Sequence, residues 1–214
     1  MTATVAEHVA AIRAGIPAGV TLVAVSKTQP AEAIREAYAA GQRDFGENYA
    51  QEWRDKADAL ADLGDLRWHF IGGLQTNKVK YLAGRVAAIH TVDRIDLARE
   101  ISKRFAAKGA VAQVYLEVNV GGEASKSGCA PADAPALAEG VRALPAVEVV
   151  GLMTIPPPDD EPRPHFRALR ALRDRLGLAG LSMGMSADWR IAIEEGSTCV
   201  RVGTAIFGER FRRP

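Results

Sequence analysis

The sequence predicts an α/β fold in which eight parallel strands, separated by helical segments, close into a single (β/α)8 barrel of the TIM type. Short apolar runs alternate with helix-patterned segments from end to end, which is typical of βαβ units. No low-complexity linker divides the 214 residues, so we expect one domain over residues 1–214. An open doubly wound sheet is the alternative, but neither GxGxxG after the first strand nor GxxxxGKS/T occurs.

The predicted strands are short runs rich in Val, Ile, Leu and aromatic residues. The first, residues 20–26, reads VTLVAVS, and the fifth, residues 113–119, reads QVYLEVN. All eight predicted strands span residues 20–26, 43–46, 67–72, 87–92, 113–119, 147–153, 180–184 and 199–203.

Helical apolar spacing fills the segments between these strands. Pro30 and Pro131 stand where a helix is expected to begin, and Gly41 and Gly109 where one is expected to end. The predicted helices span residues 30–40, 47–62, 76–83, 94–108, 131–143, 163–176 and 188–195.

Composition argues against several classes of function. Lys and Arg number 27 and Asp and Glu 26, so no basic field favours nucleic acid or an anionic membrane. No apolar run is as long as a membrane span, and the first residues lack a signal-peptide pattern. We therefore expect a cytoplasmic protein, and a monomer, because no long apolar helix face requires a partner.

The cysteines and histidines do not predict a metal site. Cys129 and Cys199 are far apart and form no CxxC pair, so neither a disulfide framework nor a zinc site is supported. The four histidines also fall outside metal-ligand spacing.

Lys27 is the most informative residue, because it directly follows the first strand. Active sites of such barrels lie at the C-terminal ends of the strands, where polar and glycine residues of this chain cluster. A partly desolvated lysine amine there is a good nucleophile and can form a Schiff base with an aldehyde cofactor. The alternative is an ordinary solvated lysine at a strand end.

A phosphate site is predicted after strands seven and eight, where such barrels often hold phosphate. Gly203 allows close approach to the backbone, and Ser186 and Thr204 offer hydroxyls, although these residue types also form ordinary turns and caps. Arg201 shares the face of Gly203, so it either pairs with an inward carboxylate or points at a ligand. Strands one and eight are neighbours in a closed barrel. The combination with Lys27 suits a phosphorylated aldehyde, and pyridoxal 5′-phosphate (PLP) is the obvious candidate.

Motifs along nearly the whole chain resemble the pyridoxal phosphate homeostasis protein family. They lie at residues 25–28 (VSKT), 45–49 (FGENY), 68–72 (WHFIG), 74–78 (LQTNK), 125–128 (SKSG), 151–153 (GLM), 181–188 (LSMGMSAD) and 203–208 (GTAIFG). The resemblance implies a barrel of the alanine racemase N-terminal-domain type, which is fold type III among PLP proteins.

The resemblance also implies roles for individual residues. Lys27 would carry the cofactor, and Arg201 would face its pyridine nitrogen. Asn48 would lie beside the ring, and Lys126 would be a secondary lysine in cofactor handling. The phosphate would be held by Ser186, Gly203 and Thr204.

Two positions depart from the family pattern. Gly73 stands where many relatives carry proline, which should loosen the loop after the third strand without abolishing it. Gln29 stands where some bacterial relatives carry a second lysine near the Schiff base, so a relay through that position is in doubt.

The resemblance implies a carrier that holds PLP as a reversible Schiff base and buffers it or delivers it to apo-enzymes. The main alternative is a weakly active amino-acid racemase, which needs placed proton donors and acceptors. Related racemases take a catalytic tyrosine from an additional β domain, for which we expect no room before Pro214; the four tyrosines all lie within the predicted barrel. A third possibility is a partner-binding protein that uses the cofactor only as a signal.

Overall fold

Eight parallel strands close into a barrel in chain order, with the last strand paired to the first. The computed structural model describes residues 3–123 and 126–208. Thr21 is in register with Cys199 across the β1–β8 junction, so the sheet is closed and the open-sheet alternative is wrong. The strands are β1 (Thr21–Val25), β2 (Asp44–Glu47), β3 (Arg67–Phe70), β4 (Ala88–Val92), β5 (Ala112–Glu117), β6 (Val147–Met153), β7 (Gly180–Ser182) and β8 (Cys199–Val202).

The helices surround this barrel and cover its outer face. Gly41 and Gly109, predicted to end helices, lie just beyond α2 and α5 with φ of +90° and +64°. The described helices are α1 (Val5–Ala14), α2 (Ala31–Ala39), α3 (Ala50–Ala59), α4 (Val79–Leu82), α5 (Ile95–Ala106), α6 (Ala134–Arg142), α7 (Pro162–Arg175), α8 (Trp189–Glu194) and α9 (Thr204–Phe207), with a 3₁₀ turn at Thr76–Lys78.

Two helices, α1 and α9, were not predicted. Thr4 begins α1 through a capping box, in which its side chain accepts from the Glu7 N–H and the Glu7 carboxylate accepts from the Thr4 N–H. Helix α1 packs against α2 and α9, and His8 Nδ1 lies 2.9 Å from the carbonyl oxygen of Ile206. The N-terminal segment therefore lies against the element that follows β8.

Two predicted helix starts were wrong. Residues 131–133 form a turn closed by the Asp133 N–H on the Ala130 carbonyl, so α6 begins at Ala134 rather than at Pro131. Helix α3 begins at Ala50 rather than at residue 47, because Glu47 still belongs to β2. Asn48 therefore lies in the connection between β2 and α3, directly after the strand.

Side chains of the strands alternate between two environments. Outward apolar side chains such as Phe45, Phe70 and Leu152 pack with the helices in one buried cluster. Inward positions carry polar groups, among them His69 and His90, whose ring centroids are 5.2 Å apart. Because buried polar groups need partners, the interior of this barrel is a hydrogen-bonded layer as well as a packed one. Of the described helices, none is both long and apolar enough to span a membrane.

Candidate functional site

A cavity of about 290 Å³ opens at the C-terminal ends of β1, β2 and β8, which we call the barrel mouth. Six of the seven residues predicted for the site line it: Lys27, Asn48, Ser186, Arg201, Gly203 and Thr204. The remaining lining residues are Val25, Gln29, Ile71, Ile155, Met185, Ala187 and Gly208.

The backbone on both sides of Lys27 is held by helix α3. Lys56 Nζ donates to the carbonyl oxygen of Ser26 over 2.6 Å, and the Thr28 N–H donates to Glu52 Oε1 over 2.6 Å. Thr28 has a φ of +63°, in the left-handed region that a β-branched residue rarely occupies. These two bonds stabilise a turn that directs the Lys27 side chain into the cavity.

A buried ion pair lies beneath this turn. Lys56 Nζ lies 2.7 Å from Glu47 Oε1 and 2.7 Å from Glu52 Oε1, and the Ser26 hydroxyl donates to Glu47 Oε1 over 2.7 Å. The Lys56 side chain is 9% exposed and that of Glu47 0%. Burial raises the pKa of the Glu47 carboxyl, and the Lys56 ammonium and Ser26 hydroxyl oppose that change. The charge of Lys56 is thus used within the fold rather than in the cavity.

Arg201 enters the cavity from the barrel interior with neutral partners. Its Nη1 donates to Ser182 Oγ over 2.6 Å and its Nη2 to the carbonyl oxygen of Thr154 over 2.9 Å. Burial lowers the pKa of this guanidinium. No described carboxylate lies within ion-pair distance of the guanidinium. Of the two interpretations that the sequence leaves open, an ion pair with an inward carboxylate or a contact with a ligand, the geometry favours the contact with a ligand.

Hydroxyl and backbone N–H groups gather where β8 leads into α9. Ser186 Oγ accepts from the Gly203 N–H over 3.3 Å and from the Ala205 N–H over 3.4 Å. Thr204 places a second hydroxyl at the cavity wall. Donors of this kind match the oxygens of a phosphate group, which accept several hydrogen bonds at once. The donor set therefore fits an anion at this end.

Asn48 offers a buried acceptor to the cavity. Its Oδ1 is buried and has no hydrogen-bond partner among the described residues. Gly72 allows this placement, because a Cβ there would clash with the backbone of Asn48. A buried amide oxygen without a partner costs free energy. A ligand hydroxyl in the cavity would supply the missing donor, so the site fits a phosphorylated ring that carries a hydroxyl.

Lys126 lies outside the cavity. Its Nζ lies 2.5 Å from Glu123 Oε2 and donates to the carbonyl oxygen of Pro156 over 3.1 Å. The preceding residue of its predicted motif, Ser125, falls outside the described residues. The structure therefore does not bring Lys126 together with the other six predicted residues.

The two departures from the family pattern behave differently. Gln29 is buried and lines the cavity, and its N–H donates to the Ser26 carbonyl over 3.0 Å. Gly73 is exposed, and a Cβ built there would meet no neighbour within 4 Å. The departure at Gln29 therefore changes the cavity wall, whereas the one at Gly73 does not.

Sequence reasoning missed a line of polar residues behind Arg201. Ser182 Oγ, which accepts from Arg201, lies 2.7 Å from His90 Nδ1. His90 Nε2 lies 2.9 Å from His69 Nδ1, and His69 Nε2 lies 3.0 Å from Asp44 Oδ1. The alternation of His69 with the apolar residues Trp68 and Phe70, and of His90 with Ile89, could have indicated inward-facing imidazoles.

Comparisons with known proteins agree over nearly the whole chain. The family model for the alanine racemase N-terminal domain matches residues 2–211. The pyridoxal phosphate homeostasis protein of Aquifex aeolicus is 54% identical over 198 residues, which cover 88% of this chain and 86% of the relative. The protein of the same name from Pseudomonas aeruginosa is 50% identical over 222 residues, which cover 97% and 96%.

Solved structures show the same barrel. PipY of Synechococcus elongatus, whose structure has PLP bound, matches with a TM-score of 0.90 at 40% identity, over 96% of this chain and 100% of that chain. Alanine racemase from Corynebacterium glutamicum matches with a TM-score of 0.75 at 19% identity, over 98% of this chain and 64% of that chain. The second likeness concerns the fold alone.

Proposed function

Since this chain belongs to the family of pyridoxal phosphate homeostasis proteins, we propose that it binds PLP reversibly at Lys27 and buffers it or delivers it to apo-enzymes. The observation that carries this proposal is the convergence of three groups on one cavity. A lysine, a buried arginine whose described hydrogen-bond partners are neutral and a cluster of hydroxyl and N–H donors line it together.

Each end of the cavity suits a different part of the cofactor. Ser186, Gly203 and Thr204 would hold the phosphate, and Arg201 would donate to the pyridine nitrogen. Asn48 Oδ1 would accept from the ring hydroxyl. When bound, the cofactor would supply an aldehyde for reversible condensation with the Lys27 amine, with loss of one water.

The wall of the cavity supports binding more than turnover. Among the described residues that line it, only Lys27 and Arg201 carry ionisable side chains. A guanidinium keeps its proton, so Lys27 is the one lining group that can exchange a proton with a substrate. Tyr115, one of the four tyrosines, is stacked on His90 inside the barrel instead. We therefore propose a carrier without a racemase-type acid and base pair.

The remaining features of the proposal follow from the same site. One domain over residues 1–214 is supported by the unbroken strand order and the family match over residues 2–211. Of the four large apolar side chains exposed on the described surface, Ile155 and Met185 line the cavity, which supports a monomer. Both cysteines are free thiols, which suits a reducing cytoplasm.

The test is an absorbance spectrum of the purified protein with added PLP, before and after borohydride reduction, followed by peptide mass mapping. We expect a visible band and a reduced adduct on Lys27 that Lys27→Ala abolishes. Lys103→Ala removes an exposed lysine of α5 and serves as the matched control. A wild-type protein that stays colourless would contradict the binding proposal, and steady racemisation of alanine or serine well above that of free PLP would contradict the carrier proposal.

A further inference from the structure

A hydrogen-bonded chain crosses the barrel interior from the cavity towards the N-terminal ends of the strands. Arg201 Nη1 contacts Ser182 Oγ at 2.6 Å, and Ser182 Oγ contacts His90 Nδ1 at 2.7 Å. His90 Nε2 contacts His69 Nδ1 at 2.9 Å, and His69 Nε2 contacts Asp44 Oδ1 at 3.0 Å. Strands β8, β7, β4, β3 and β2 each supply one member, so the chain depends on the closed barrel.

Every member of this chain is buried. Buried polar groups are costly unless each donor finds an acceptor. Asp44 also accepts from Arg67 Nη2 over 2.6 Å, which places a second guanidinium at the far end of the chain. The chain therefore joins the cavity arginine to a carboxylate that is itself anchored near the barrel surface.

The chemistry of the members gives the chain a direction. An ionised carboxylate only accepts, so His69 Nε2 must carry its hydrogen towards Asp44. Burial raises the pKa of Asp44, but the bonds from Arg67 and His69 outweigh it and lower that pKa to about 2. A neutral His69 then accepts at Nδ1 from the Nε2–H of His90. His90 in turn accepts at Nδ1 from the Ser182 hydroxyl, whose oxygen accepts from Arg201.

One pattern of hydrogens thus satisfies all four contacts without an added charge. Burial is the main cause that lowers the pKa of His90 well below its ordinary value, so His90 is neutral. If His69 were cationic instead, its Nδ1–H would donate to His90 Nε2, and His90 would carry its own hydrogen on Nδ1. Ser182 Oγ would then receive hydrogens from both Arg201 and His90, and its own hydrogen would lose its acceptor in the chain.

We propose that Asp44, His69, His90 and Ser182 are positioning residues that hold the Arg201 guanidinium against the pyridine nitrogen of the bound cofactor. This inference rests on the proposed function. The chain holds Arg201 through Ser182, while the carbonyl oxygen of Thr154 accepts a second hydrogen bond from the guanidinium. An arginine held there donates to the ring nitrogen and disfavours its protonation, because two cations would face each other. The far carboxylate thereby controls the protonation state of the ring.

The first test needs no cofactor. In ¹⁵N-edited spectra of the protein alone, we expect His69 and His90 to be neutral with hydrogen on Nε2 in both rings. Asp44→Asn should change the His69 signal, because an amide can donate as well as accept. Wild-type rings that carry hydrogen on Nδ1, or a cationic His69, would overturn the proposed chain.

The second test uses ¹⁵N-labelled PLP and a matched pair of buried serines. Ser182→Ala breaks the chain beside Arg201, whereas Ser197→Ala removes a buried hydroxyl that contacts only backbone carbonyls of Leu181, Met183 and Cys199. We expect Ser182→Ala to move the ring-nitrogen shift and to weaken PLP binding by about ten- to a hundredfold, since a bond to a charged group is lost. Ser197→Ala should leave the ring-nitrogen shift unchanged. His90→Gln keeps one donor and one acceptor, so its ring-nitrogen shift should lie closer to that of the wild type than the shift of His90→Ala does.

The outcomes separate this inference from the proposed function. If Ser182→Ala and Asp44→Asn bind PLP with the wild-type ring-nitrogen shift, the positioning role is wrong and the binding proposal stands. If the wild-type protein binds no PLP, the proposed function fails, and with it the role of the chain towards the ring. The histidine spectra then still decide whether the chain exists.

Discussion

Lys56 Nζ donates to the carbonyl oxygen of Ser26 over 2.6 Å, one residue before the lysine proposed to carry the cofactor. The same ammonium contacts the carboxylates of Glu47 and Glu52, and Glu52 in turn accepts from the Thr28 N–H on the other side of Lys27. Lys56 therefore stabilises the turn that contains Lys27.

Lys56→Met should destabilise the protein by about 3–5 kcal/mol, because it leaves the buried Glu47 carboxylate without its cation. It should also slow covalent capture of PLP, since the Ser26 carbonyl loses its donor. Denaturant unfolding and borohydride trapping over time measure the two effects. Glu47→Gln together with Lys56→Met should recover part of the stability; a loss below about 1 kcal/mol in the single variant would mean that the pair contributes little.

Gly72→Ala should weaken PLP binding, because the added Cβ would clash with the backbone of Asn48 and displace the Asn48 amide from the cavity. We expect a stability loss of about 1–3 kcal/mol as well. Gly73→Ala is the matched control, because a Cβ at that neighbouring position meets nothing within 4 Å. PLP titration of both variants checks the prediction, and equal affinities would show that Asn48 is not held by this contact.

Glu117 should make the protein less stable as the pH rises through neutrality. Burial raises the pKa of its carboxyl to about 7, with a further contribution from Asp93, while Arg201 opposes the change. The folded-state pKa lies above the ordinary value of 4.5, so the stability is fully present below pH 4.5 and is lost as the pH rises through about 7. The loss amounts to about 3 kcal/mol, since one pKa unit corresponds to about 1.4 kcal/mol.

The measurement for Glu117 is the free energy of unfolding between pH 4 and pH 8, roughly the window in which a carboxyl so shifted ionises. Glu117→Gln should flatten this dependence and be more stable than the wild type at the upper end. Glu148→Gln, at an exposed position of β6, should keep the wild-type slope. Parallel curves for wild type and Glu117→Gln would show that this carboxyl does not ionise in that range.

Lys126→Ala should leave the equilibrium binding of PLP at Lys27 unchanged, because Lys126 lies outside the cavity and bonds to Glu123 and Pro156. Peptide mapping after borohydride reduction should find the adduct on Lys27 in both proteins. An adduct on Lys126 in the wild type that disappears in the variant would show instead that this lysine takes part in capture.

Much of the barrel could be predicted from local pattern, because each strand is a short apolar run followed by a helical one. Helix α1 was missed although Val5, Val9 and Ile12 recur at helical spacing, a pattern that could have indicated it. Helix α9 is four residues long, too short to show any period. The two helices pack against each other, and a capping box begins α1.

The candidate site was predictable where its residues follow strands directly, as Lys27 and Gly203 do. The chain behind Arg201 was not, because its members are far apart in sequence: Ser182 and His90 are separated by 92 positions. Whether two inward polar residues meet depends on the stagger of the closed sheet, which no local pattern contains. For the same reason Lys126 was grouped with the site by its motif although the fold places it outside.

The junction of β1 with β8 has a consequence for the life of the bound ligand. Lys27 follows β1, whereas Arg201 and Gly203 belong to β8 and the residue after it, so the two halves of the cavity meet only when the circle of strands is complete. An intermediate in which the sheet is still open lacks the complete cavity. PLP binding would therefore stabilise the closed barrel and not the open intermediate. Conversely, a transient separation of β1 from β8 would open the cavity and release PLP. The lifetime of the complex is therefore expected to follow the local stability of that junction.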